Sequence, residues 1–79
     1  MKEFKIQLST IKDVQTFIQK VTSFDMEIDL SSGRYIVDAK SIMGIFSLDL
    51  MNPIKLTAHT ENEEELASLS ASLDSYIVK

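Results

Sequence analysis

The apolar residues of this chain change period several times along its length, and that alternation limits the folds open to it. From Lys2 to Leu8, Phe4, Ile6 and Leu8 alternate with Lys5 and Gln7, the two-residue period of a strand with one buried face. From Ser9 to Phe24 the period lengthens: Ile11, Val14, Phe17, Ile18 and Val21 fall on one helical stripe. Ser9 or Thr10 can accept a hydrogen bond from an otherwise unpaired amide and so serve as the cap, and Asp13 suits the first turn. Met26, Ile28 and Leu30 alternate with Glu27 and Asp29. After the turn residues Ser31-Ser32-Gly33-Arg34, Tyr35, Val37 and Ala39 form the inward set of a second strand, so a hairpin is expected. A short helix opens at Ser41 and is expected to end near Pro53, which cannot continue it. Ile54, Leu56 and Ala58 alternate again. A last helix carries Leu66, Leu69, Leu73 and Tyr76 or Ile77 inward, with acids in its first turn and a capping box between Thr60 and Glu63.

The order β-α-β-β-α-β-α, with one apolar face per strand and a stripe on each helix, predicts two layers in the α+β class. The sheet is antiparallel or mixed and its helices lie on one side. Seventy-nine residues suit one domain spanning residues 1–79, near the lower limit for a core without staples.

Composition removes several function classes. With no cysteine and one histidine, the chain lacks the donors for a thiolate or His-rich metal site, and no cofactor is implied. Eight Lys and Arg spread along a chain of net charge -4 make no basic face for nucleic acid. No apolar run approaches the ~20 residues of a membrane span. The first ten residues are interrupted by charges where a signal peptide needs an apolar core, so the chain reads as cytoplasmic.

The run Lys40-Ser41-Ile42-Met43-Gly44-Ile45, continuing Phe46-Ser47-Leu48, resembles the segment around the regulatory serine of the HPr family. These are the histidine-containing phosphocarriers of the bacterial phosphoenolpyruvate-dependent sugar phosphotransferase system. The segment Phe24–Leu30 resembles the one leading into that family's second strand, and the element order matches over the whole chain. The resemblance implies an open-faced sandwich, a four-stranded sheet with three helices on one face, and a carrier that is not an enzyme.

The chain departs from the family where the phosphoryl group is carried. HPr proteins hold it on a histidine at the start of the first helix, in a motif like Gly-hydrophobic-His-Ala-Arg-Pro. Counting back from Ser41 without gaps puts Thr10 at the histidine position and Lys12 at that of the arginine, and Gln7–Gln15 contains no histidine in any register. A hydroxyl needs an added base to attack, and its phosphate ester is too stable to relay the group onward. Thr10 therefore reads as a helix cap, and Lys12 as a solvated cation able to attract an anion. His59, alternating with Ile54, Leu56 and Ala58, is expected on the solvent face of its strand, away from any helix start.

Ser41 is first of all a cap, but a phosphate there would meet free backbone amides and add about -1.5 to -2 charge without disturbing the core. Ile42, Met43, Ile45, Phe46 and Leu48 cannot all turn inward from one short helix. Met43 and Ile42 are the candidates for an exposed docking surface, and Phe46 and Leu48 for core. The family resemblance implies a dedicated serine kinase acting at Ser41 and partners docking on the apolar helix, with Lys40 and Lys12 beside them. It also implies a purely regulatory branch that lacks the carrier histidine and acts as a corepressor in carbon catabolite control. The expectation is thus a regulatory interaction module, its partners a serine kinase and a transcriptional regulator or phosphotransferase components. The alternative is a phosphocarrier with a non-standard acceptor. Asp49 stands where the family commonly has glycine, and the loop before the fourth strand is short.

Overall fold

The alternating segments form the strands and the 3.6-period segments the helices in the computed structural model, which describes residues 2–78. Strand β1 spans Lys2–Ile6, helix α1 Ile11–Thr22, β2 Glu27–Ser32, β3 Tyr35–Asp38, α2 Ile42–Phe46, β4 Ile54–His59 and α3 Glu63–Ser72. A 3-10 turn at Asp74–Tyr76 follows. The sheet is antiparallel throughout, in the order β1-β4-β2-β3.

The registers explain the core. Phe4 lies opposite Leu56, Ile6 opposite Ile54, Leu30 opposite both Leu56 and Val37, and Ile28 opposite Ala58. Their side chains therefore share one face, which α1 covers with Val14, Phe17 and Val21, and α3 with Leu69 and, just past its end, Leu73, all buried. Phe4, Val37, Ile18 and Leu66 are half-buried at its margins. The other face carries Glu3, Lys5, Glu27, Asp29, Lys55, Thr57 and His59, so the sandwich is open on that side. Lys20 ties the two long helices together. Its ammonium donates to the Ser72 carbonyl at 3.0 Å, at the end of α3, and lies 5.9 Å from the centroid of Tyr76, whose ring meets Phe17 edge-on.

The two sheet edges differ. Beyond β1 the C-terminal segment pairs back: the Gln7 amide donates to the Tyr76 carbonyl and the Val78 amide to the Lys5 carbonyl, each at 2.8 Å, and Ile77 bridges to Ile6. Strand β3 forms the opposite edge, turned back from β2 at Gly33, whose φ of +60 is the left-handed geometry that glycine supplies at no steric cost.

Several sequence expectations are corrected. Tyr35 shares the parity of Val37 and Ala39 but is 71% exposed, because it sits at the turn end of the hairpin, past the covering helices. Ile11 is exposed as well, since it occupies the first position of α1, a turn ahead of buried Val14. Helix α2 stops at Phe46, well before Pro53, where the Ser47 hydroxyl donates back to the Gly44 carbonyl at 2.6 Å. Asp49 then accepts from the Met51 amide and the Asn52 side chain, forming a turn. Finally, α3 is capped by Asn62, which accepts from the Glu64 and Glu65 amides, and not by a Thr60–Glu63 box. Thr60 supports this cap from outside, accepting from the Asn62 amide and donating to the Glu65 carboxylate.

Candidate functional site

The chain leaves β3 and enters α2 through two hydrogen bonds from Asp38: its carbonyl accepts from the Ser41 amide at 3.0 Å and its carboxylate from the Lys40 amide at 2.8 Å. These set Ser41 in extended backbone at the mouth of α2, where its Oγ accepts from the Gly44 amide at 3.2 Å. Gly44 fits tightly at this point. A Cβ there would lie 3.0 Å from the Val37 Cβ and 3.2 Å from the Ser41 Oγ, so the missing side chain lets α2 rest on β3 and keep its cap.

Five residues offer only one inward direction at 100° per residue, and Ile45 takes it, fully buried. Leu48 is buried just beyond, as expected. Met43 is 78% exposed and Ile42 40%, the outward placement expected of both. Phe46, read from the sequence as core, is 42% exposed because it falls a step around the helix from Ile45.

Sequence reasoning also overlooked Met51, at 88% the most exposed large apolar side chain among the described residues. An apolar residue among turn formers belongs to no stripe, so periodicity carries no signal for it. Its loop is held against the entrance of α1 by the Gln7 side chain, which donates to the Leu50 carbonyl at 2.9 Å. A shallow depression there is lined by Gln7, Ser9, Leu50 and Met51. Helix α2 packs on α1, and this loop is tied to the segment entering α1 through Gln7.

The expected cations are placed differently from each other. The Lys40 ammonium donates to the Phe24 carbonyl at 2.7 Å, strapping the entrance of α2 to the segment after α1, so it is committed within the fold. Lys12 is exposed on the first turn of α1.

At the start of α1, Thr10 is the cap and forms a full capping box. Its Oγ1 accepts from the Asp13 amide at 3.0 Å, while the Asp13 carboxylate accepts from the amides of Thr10 at 3.2 Å and Ser9 at 3.0 Å. The Asp13 carboxylate thus takes the Ser9 and Thr10 amides and sets a negative charge at this helix start. His59 is on the open face of β4, its Nε2 2.6 Å from the Asp29 carboxylate on β2, both side chains partly exposed. The fold therefore brings Thr10, Lys12, Ser41, Ile42 and Met43 to one pair of packed helices and leaves His59 on the other side of the sheet. Among the described residues, no group of acidic or histidine side chains is arranged to hold a metal. No helix there is long and apolar enough to cross a membrane.

Residues 11–75 match the family model described as the PTS HPr component phosphorylation site. Among solved structures, the chain is similar to the HPr-C-His protein of Thermoanaerobacter tengcongensis, with 31% identity over 95% of this chain and 93% of that one and a TM-score of 0.76. It is similar also to the phosphocarrier protein HPr of Bacillus anthracis, with 28% identity, coverage of 91% and 95%, and a TM-score of 0.67. The Bacillus subtilis catabolite repression protein Crh, described as a swapped dimer, shares 26% identity over 94% of this chain and 88% of its own, with a TM-score of 0.65.

Proposed function

This chain belongs to the HPr family of the phosphotransferase system, and we propose that within it the protein acts by protein-protein contact and no longer carries a phosphoryl group. One observation carries this reading. The start of α1 presents Thr10 locked in a capping box with Asp13, whose negative charge sits on the amides there, and the sole histidine of the chain, His59, is on the opposite face of the sheet. A phosphoryl group at Thr10 would break the bond to the Asp13 amide and be repelled by the Asp13 carboxylate, and the ester formed would be too stable to pass on.

Contact runs through α2. Met43, Ile42 and Phe46 offer apolar area next to Ser41, with Ile11 and Met51 extending it towards α1. Phosphorylation of Ser41 by a serine kinase switches this surface, since the new charge meets the amides of the first turn of α2 and lies beside the apolar anchors. A transcriptional regulator or phosphotransferase components are the partners that such a surface serves, and the likeness to Crh, a protein named for catabolite repression, supports the regulatory side of this reading.

A second reading is favoured by one feature: His59 is oriented by Asp29 at 2.6 Å, as a reactive imidazole often is by a carboxylate, and would make the protein a carrier with a non-standard acceptor. Incubation with phosphoenolpyruvate and enzyme I, beside incubation with ATP and the serine kinase, each followed by intact mass, separates the two. The contact reading expects a phosphate only from the kinase, lost in Ser41→Ala. An acid-labile adduct from enzyme I that disappears in His59→Ala establishes the second.

A further inference from the structure

Strand β3 is a sheet edge that pairs with no further strand among the described residues, whereas the edge at β1 is closed by Tyr76–Val78. Edge strands in monomers are commonly blunted, because their outward amides and carbonyls template pairing with another chain. Here two large apolar residues stand on the edge: Tyr35 is 71% exposed and its neighbour Ile36 70%.

The register shows which backbone groups are open. The Ala39 amide donates to the Ile28 carbonyl at 2.9 Å, and the pairs Leu30 with Val37 and Ser32 with Tyr35 follow at two-residue steps. Residues 35, 37 and 39 therefore bond inward to β2, and the N–H and C=O of Ile36, midway between them, point away from the sheet. The Asp38 amide and the Arg34 carbonyl point the same way.

The sequence of this edge, Arg34-Tyr35-Ile36-Val37-Asp38, is antisymmetric in charge about its central residue. We propose that β3 pairs with β3 of a second copy of this chain, antiparallel about a two-fold axis at Ile36, to give a continuous eight-stranded sheet. In that register Ile36 meets Ile36 and exchanges two backbone hydrogen bonds, and Tyr35 lies beside Val37 of the other copy. Arg34 of each copy faces Asp38 of the other. Asp38 Oδ1 is engaged by the Lys40 amide, which leaves Oδ2 for the arginine. Two nearby alternatives pair like charges, and a shift that places Ile36 on Arg34 loses both Arg34–Asp38 pairs. A parallel pairing sets Arg34 on Arg34 and Asp38 on Asp38, and an antiparallel shift that places Ile36 on Asp38 sets Arg34 against Lys40.

Sedimentation velocity over a protein series from micromolar to millimolar, at low and high salt, tests the assignment. A reversible dimer, weakened by salt, is expected for the wild type. Ile36→Lys sets two ammonium groups on the axis and should be monomeric throughout, with an unchanged circular dichroism spectrum. Arg34→Asp and Asp38→Arg should each be monomeric alone, because each pairs like charges. An equimolar mixture of the two should dimerise, because both cross-strand pairs then become opposite in sign. Ile36→Lys and Arg34→Asp leave the Asp38–Lys40 contact untouched and decide the matter if Asp38→Arg fails to fold. A wild type that stays monomeric at the highest concentration, or a dimer that survives Ile36→Lys, overturns the proposal.

Discussion

Thr10 and Asp13 close on each other at the start of α1, the threonine hydroxyl accepting from the aspartate amide at 3.0 Å and the aspartate carboxylate from the threonine amide at 3.2 Å. The pair makes a stable helix start and at the same time sets a negative charge where an anion would approach. Thr10→Ala removes one half of the box and should cost about 0.5–2 kcal/mol in chemical denaturation, while Thr10→Ser should restore most of it. A loss near zero would show that this cap is not formed in solution.

Gly44 is held under Val37 and Ser41, and a methyl group there has nowhere to go without moving β3 or the cap. Gly44→Ala should destabilise the protein by about 1–3 kcal/mol in urea titration, despite the better helix propensity of alanine. A stabilised variant would mean that α2 rides higher on β3 than described.

Leu69 is fully buried on α3 above the sheet. Leu69→Ala should cost ~2–5 kcal/mol, a large share of the stability of so small a domain, and should show as a loss of cooperative melting or a large fall in its midpoint. A near-neutral result would mean that α3 is not packed on this core.

Met43 is exposed and has no packing duty. Met43→Asp should therefore change stability by less than about 1 kcal/mol, yet, if a serine kinase docks on α2 as proposed, sharply reduce phosphorylation of Ser41. If the variant folds normally and is phosphorylated like wild type, Met43 is spare surface and not an anchor.

Ser41→Asp places part of a phosphate's charge at the same cap. It should leave stability within about 1 kcal/mol of wild type, since aspartate caps as well as serine does. It should also weaken binding of any partner that prefers the unmodified surface. A thermal melt checks the first outcome and titration calorimetry with the phosphotransferase components the second.

The sequence by itself determined the element order, the two-layer arrangement and most of the core. A strand with one covered face must alternate and a helix must carry a stripe, so Ile6, Ile28, Leu56, Val14 and Leu69 declare themselves by spacing alone. It also places no histidine near Thr10, which is legible in the letters. The tertiary structure decided how far each stripe is covered. Ile11, Tyr35 and Phe46 obey their patterns and are exposed all the same, since burial depends on whether another element lies above them, and periodicity gives direction but not cover. It decided the ends of the elements too. Ser47 and Asp49 stop α2 early and Asn62 displaces Thr60 as the cap, because short polar side chains compete locally for backbone groups. Only folding, finally, could bring Met51 to the entrance of α1, tie Lys40 to the Phe24 carbonyl, and leave β3 open while Tyr76–Val78 close the edge at β1, for these relations join residues far apart in the chain.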